Sequence, residues 1–173
     1  MDVLEAIKQR RSIRAFTDEP IGKGALERLL DAARWSPSGS NQQKWRFVVV
    51  TSPSTKVLVR NFAPGIFAVP AAFIVICVQK DPDANPRAEA VYLADCAIAA
   101  QNIMLAAYEM GIGSCAVLSF AKVAMREILN LPTNVEPLLM VTLGYPAEAP
   151  EPPPRLELSR IAFMDEYGKE WPL

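Results

Sequence analysis

Three guanidiniums and a hydroxyl fall within five consecutive residues, Arg10-Arg11-Ser12-Ile13-Arg14. Arginine is permanently charged and planar, and its fork of donors matches the oxygens of a phosphate. The Ser12 hydroxyl can donate to the same oxygens. The chain carries a net charge of only -1, so the cluster is a local anion grip rather than a sample of a basic protein. The competing reading is a solvated basic turn, because cations are favoured at a helix C-terminus.

Other chemistries are thinly supplied. Histidine is absent, which removes imidazole bases, His-dependent nucleophile triads and His-containing metal sites. Cys77, Cys96 and Cys115 form no C-x-x-C pair, so metal binding and dithiol redox chemistry lose support. Asp2, Glu5 and Lys8 interrupt any secretory-type apolar stretch, and unpaired cysteines favour the cytoplasm. The near-neutral charge opposes nucleic-acid binding and gives no drive toward an anionic membrane. The apolar run 66–78 is broken by Pro70 and too short to span a bilayer.

A length of 173 residues argues for a single domain, 1–173, able to bury about 70% of its unfolded surface without staples. Asp2 followed by Glu5 fits a capping-box variant opening a short helix through about Arg10, which places the arginines at its C-terminal end. Residues 25–35 read as a second helix with Leu26, Leu29, Leu30 and Ala33 on one face. The run 36–41 stops it. Residues 45–51 read as a strand, 56–62 as a short helix, and 71–78 as an apolar strand buried on both faces. The longest helix runs over about 87–110 and ends at Gly111 and Gly113. A short apolar segment (114–119), a helix (121–130) and a third buried strand (136–144) follow. The Pro-rich stretch from Tyr145 onward is an extended arm. The long helix is apolar nearly all round and must be covered on both sides, which points to a homodimer with the arm, 145–173, wrapping the partner.

These pieces resemble the flavin-dependent nitroreductase family in its short form, over nearly the whole chain. The run from Arg10 to Phe16 is similar to the family's R-R-S-x-R-x-F. The run Pro37-Ser38-Gly39-Ser40-Asn41-Gln42-Gln43-Lys44-Trp45 resembles P-S-x-x-N-x-Q-P-W. Met110-Gly111-Ile112-Gly113-Ser114 resembles L-G-L-G-S, and Leu131-Pro132 and Leu143-Gly144-Tyr145-Pro146 resemble its L-P and L-G-Y-P landmarks. Pro154-Arg155-Leu156-Glu157 is similar to the arm's K-x-R-x-P-L-E. The departures are Lys44 in place of a proline, Pro153 where many members carry a second basic residue, and a short stretch between Val78 and Arg87, where longer members build part of their substrate pocket.

The resemblance implies an α+β, three-layer fold. A central mixed or antiparallel sheet is flanked by helices in an intertwined homodimer that binds FMN at the subunit interface. Arg10, Arg11, Ser12 and Arg155 would hold the phosphate, and Arg14 would lie at the flavin's N1–O2 edge. Pro37, Ser38, Gly39, Asn41 and Gln43 would come from the other subunit to the pyrimidine edge. Ala116, Val117, Leu118 and Ser119 would lie along the ring. The implied reaction takes hydride from NAD(P)H and reduces a nitroaromatic, quinone or similar electrophile by a ping-pong route; the flavin carries the chemistry and no catalytic side chain is needed. The alternatives are a flavin-binding sensor or specialised member, and a phosphate- or nucleic-acid-binding module. Taken alone, the 37–45 run is a helix stop and link, 114–119 a buried strand, and Arg155 a surface charge. Cys115 reads as a small apolar filler. Phe62 and Phe67 read as core packing, with pocket lids as the other possibility.

Overall fold

The computed structural model describes residues 2–83 and 85–172. Four strands form one antiparallel sheet in the order β1-β2-β4-β3, where β1 is Trp45–Val50, β2 Ala72–Gln79, β3 Gly113–Val117 and β4 Val135–Gly144. Five α-helices surround it: α1 (Val3–Gln9), α2 (Lys23–Arg34), α3 (Pro53–Asn61), α4 (Pro86–Glu109) and α5 (Lys122–Ile128).

Strand β2 shows why the layers number three. Its side chains alternate across the sheet. Ala72, Ile74 and Ile76 join a core containing Leu29, Ala33, Cys96, Ala99 and Ile103 of α2 and α4. Phe73, Val75 and Cys77 join a second core with Val59 and Met125 of α3 and α5. The unbroken apolar run therefore reports helices on both faces and not strand direction. Leu138 is an extra residue in β4, because Ile76 pairs with Leu139 and Cys77 with Pro137. Such a bulge accommodates a proline, which has no N–H for the ladder.

Helix α4 is positioned by its ends. Asn85 accepts the Ala88 N–H at 3.0 Å, and Pro86 occupies the first turn, where a missing N–H costs nothing. At the other end Gly111 adopts φ 70°. The Gly111 N–H reaches the Tyr108 carbonyl at 3.1 Å and the Ile112 N–H reaches Ala107 at 2.8 Å. This is a Schellman closure that needs a left-handed residue, and it turns the chain straight into β3. By length and hydropathy α4 would suffice to cross a membrane. It carries Asp95 and Asn102 in mid-helix, each with a protein partner, and it packs on the sheet as a core helix.

The segment after α1 adds to the sheet edge. Ser12 bridges Ser114 in parallel, and the Ile13 N–H donates to the Ser114 carbonyl at 3.0 Å. The contact is so close that a Cβ at Gly113 would lie 2.9 Å from Ile13, and one at Gly144 would lie 2.7 Å from the Phe16 ring. The sheet is thus antiparallel in its four strands and mixed at this edge. Beyond Tyr145 the arm is extended, with one 3-10 turn at Leu158–Arg160.

Candidate functional site

The end of α4 and the edge of β3 enclose a cavity of about 340 Å³ with Arg10, Ser114, Tyr108 and the arm residues Pro150 and Pro152 on its wall. Arg10 caps α1, and its guanidinium reaches into this cavity. Its Nε and Nη1, together with the Ser114 Oγ, are buried without a hydrogen-bond partner among the described residues. Buried donors of this kind are rare because leaving one unmade costs about 1–3 kcal/mol. Burial pushes the Arg10 pKa down; the Cys115 thiol acts the other way, and the charges of Arg11 and Arg155 push it further down. Three cationic groups therefore share one field beside an unsatisfied hydroxyl. A phosphate dianion would satisfy the donors and relieve the repulsion together.

The remaining arginines of the cluster differ in their settings. Arg11 Nη1 lies 2.8, 2.9 and 3.0 Å from the carbonyls of Lys8, Gln9 and Arg10, so it closes the C-terminus of α1, as the macrodipole favours. The Arg14 side chain is exposed, while its backbone N–H and that of Ala15 both donate to Glu148 Oε1, the latter at 3.0 Å. Arg155 is exposed on the arm.

Ser114, Ala116 and Leu118 lie at alternating positions along β3 and its continuation, pointing to one face. Ser114 is thus the residue the sequence reading missed. Its motif was visible, but only the fold reveals a buried hydroxyl with nothing to bond. Leu118 is exposed and walls a further cavity of about 350 Å³, rimmed by Lys80, Lys122 and Glu136. Ser119 sits under the 62–71 loop, since a Cβ on Gly65 would come 2.6 Å from its Oγ. In that loop Phe67 is 75% exposed and Phe62 45%. Core packing, the expected role for both, is therefore wrong: α3 buries Val59 in their place.

The loop carrying Pro37, Ser38, Gly39, Asn41 and Gln43 lies elsewhere. The Gly39 N–H donates to both oxygens of Asp95 at 3.1 and 3.2 Å. The Ser38 Oγ accepts from the Gln43 N–H at 3.1 Å, and Gln43 Nε2 donates to Asn41 Oδ1 at 3.2 Å. Ser40, Asn41 and Gln43 all adopt left-handed φ near 50°, which leaves the Asn41 and Gln43 side chains exposed and costs backbone energy. Asp95, a buried carboxylate in an apolar helix, is the anchor of this loop and was not singled out from sequence. A buried acid needs a partner, and that rule was the signal available. Lys44 continues the anchoring: its Nζ lies 2.5 Å from Asp81 Oδ1, and Tyr92 donates to the other Asp81 oxygen at 3.0 Å.

Asp95 and Tyr108 are thirteen residues apart on α4, about 20 Å along its axis. Within one chain the loop therefore packs near the middle of that helix and the Arg10–Ser114 cavity lies at its C-terminal end.

The class the structure defines is a three-layer α+β fold whose sheet edge carries a cavity lined by buried, unpartnered donors. The nitroreductase family model matches residues 7–68 and 59–145. An NADH dehydrogenase of Thermus thermophilus is 32% identical, over 94% of this chain and 96% of its own. Among solved structures, nitroreductase A of Vibrio parahaemolyticus superposes with a TM-score of 0.89 at 30% identity, covering 98% of this chain and 78% of that one. The NADPH:FMN oxidoreductase of Vibrio harveyi, solved in complex with NAD+, gives 0.88 at 28% identity, covering 96% and 78%. The chain belongs to the nitroreductase family.

Proposed function

We propose that the protein is an NAD(P)H-dependent flavin oxidoreductase that binds FMN, with the phosphate held in the Arg10–Ser114 cavity. The observation that carries this reading is the set of orphaned donors, Arg10 Nε and Nη1 and Ser114 Oγ, gathered in one cavity. Riboflavin alone would leave them unpaired. Ser12 and Arg155 complete the anion-binding side, and Arg11 adds charge while bracing α1. Arg14 offers a cation to the polar edge of the ring. Ala116, Val117, Leu118 and Ser119 provide the surface along which the ring lies.

The reading includes a homodimer, in which Pro37, Ser38, Gly39, Asn41 and Gln43 of the partner complete the site. Three sets of exposed apolar residues support it: Val3, Leu4 and Ile7 on α1, Val91, Leu93 and Ile98 on α4, and Leu156, Leu158 and Ile161 on the arm. Exposed apolar surface of this kind marks interaction sites. Three buried, unpaired cysteines fit a reducing, cytoplasmic setting.

Bound flavin supplies the hydride chemistry that passes reducing equivalents from NAD(P)H to a nitroaromatic, quinone or similar electrophile by a ping-pong route. The chain's own residues bind and orient it; none acts as proton donor or nucleophile. The short connection between β2 and α4 favours one second reading, a flavin-binding sensor or specialised member without broad reductase activity. The test is a visible spectrum of the purified protein before and after NADH or NADPH. A flavin absorbance that bleaches rapidly is expected. A colourless protein that FMN cannot reconstitute would refute the proposal, and a flavin that resists bleaching would select the sensor.

A further inference from the structure

We propose that Glu148 is the latch of the phosphate cradle, a positioning residue that fastens the start of the arm across the Arg10–Ser114 cavity. The inference rests on the FMN reading above. The arm leaves β4 as a short ribbon against residues 15–17. The Thr17 N–H donates to the Tyr145 carbonyl at 2.9 Å, Phe16 bridges Pro146, and the Ala147 N–H donates to the Ala15 carbonyl at 3.0 Å. The ribbon then stops. Pro150, Pro152, Pro153 and Pro154 have no N–H, and no backbone N–H from 148 to 157 donates a hydrogen bond among the described residues.

The arm's side of the cavity wall is made by Pro146 and, in this unladdered stretch, by Glu148, Ala149, Pro150, Glu151 and Pro152. A few residues later comes Arg155, whose charge Arg10 feels. Glu148 supplies the last tie before it. Its Oε1 accepts from two successive backbone N–H groups, Arg14 and Ala15. Those bonds hold its pKa below the ordinary glutamate range, so the carboxylate is ionised and the bonds are charge-assisted. One side chain thus fixes both walls of the cradle: the arginine segment and the arm.

A latch acts on the phosphate, whereas a merely structural residue would affect every ligand alike. The experiment titrates the flavin-free protein with FMN and with riboflavin, following flavin fluorescence, for wild type and Glu148→Ala. Wild type should prefer FMN. Glu148→Ala should bind FMN about tenfold more weakly, the loss expected for charge-assisted bonds, with riboflavin affinity changed less than about twofold. Equal loss of both ligands, or loss of neither, overturns the latch while leaving the FMN reading intact. A wild type with no preference for FMN overturns that reading itself. Should the truncation fail to fold, Glu148→Gln decides: it keeps the reach and an acceptor oxygen but not the charge, and an unchanged FMN-to-riboflavin ratio refutes the latch.

Discussion

Arg10→Met should move stability and binding in opposite directions. The native side chain buries Nε and Nη1 without partners and sits in the field of Arg11 and Arg155. Each buried, unmade donor costs about 1–3 kcal/mol. Methionine fills a similar length of space with no polar atom and is adaptable in irregular gaps. After allowance for imperfect packing, the flavin-free variant should gain about 1 kcal/mol, which for a chain of this size raises Tm by about 2–4 °C. The flavin-bound state should lose a charge-assisted contact to phosphate, worth about 1.5–3 kcal/mol, or about 10- to 150-fold in FMN affinity. The assay pairs a thermal melt of flavin-free protein with an FMN titration. A variant that melts lower than wild type without flavin, yet binds FMN within twofold of it, would refute the argument that the guanidinium is held in strained readiness for an anion. Functional sites commonly trade stability in this manner.

Ser114→Ala should follow the same sign: no loss of stability without flavin, and FMN affinity reduced by about tenfold or more, the worth of one hydrogen bond to a charged acceptor, in the same two assays. Gly144→Ala should destabilise by about 1–3 kcal/mol through overpacking, because its Cβ would fall 2.7 Å from the Phe16 ring; a denaturant midpoint unchanged from wild type would refute the close packing of the arginine segment on the sheet edge. Glu136 reports on pH. Burial alone would raise its pKa, but hydrogen bonds from Lys122 and Lys80 outweigh it and bring the value below the ordinary 4.5. A carboxylate with a depressed folded pKa contributes stability above its unfolded value and loses it as pH falls through the folded one. Glu136→Gln should therefore flatten the fall of Tm between about pH 5 and pH 3, and identical slopes in the two proteins would count against the lysine bridges.

The fold was legible where the sequence pattern encodes burial. Alternation was absent from β2 because both its faces meet helices, and that absence correctly marked it as a strand buried on two sides. Gly111 marked the end of α4 because the Schellman turn needs a left-handed residue. The parallel bridge of Ser12 to Ser114 was not legible, since no local rule reports which strand edge a non-regular segment joins. Phe62 and Phe67 misled for a related reason. Aromatic type predicts burial on average, but the 62–71 loop is fixed by Ala63 and Ile66, both buried, and its aromatic rings are left outside.

The sequence offered the arginines of the candidate site as residues and could not show where they lie. Arg10, Ser114 and Arg155 come from three distant parts of the chain, and only the turn at Gly111 and the return of β4 bring them to one edge. Ser114 could not be told from any small residue in a buried strand until its hydroxyl proved to have no partner. The loop from Pro37 to Gln43 poses the opposite problem. It is well tied down, by Asp95 at one end and by the Lys44–Asp81–Tyr92 bonds at the other, yet the Asn41 and Gln43 side chains are exposed and bond only within the loop. Strained backbone persists only where the surroundings impose it and is gathered at ligand clamps. A strained, exposed loop about 20 Å along α4 from the orphaned donors of Arg10 and Ser114 is what the proposed dimer requires, in which a second copy of the chain would bring the ligand to it.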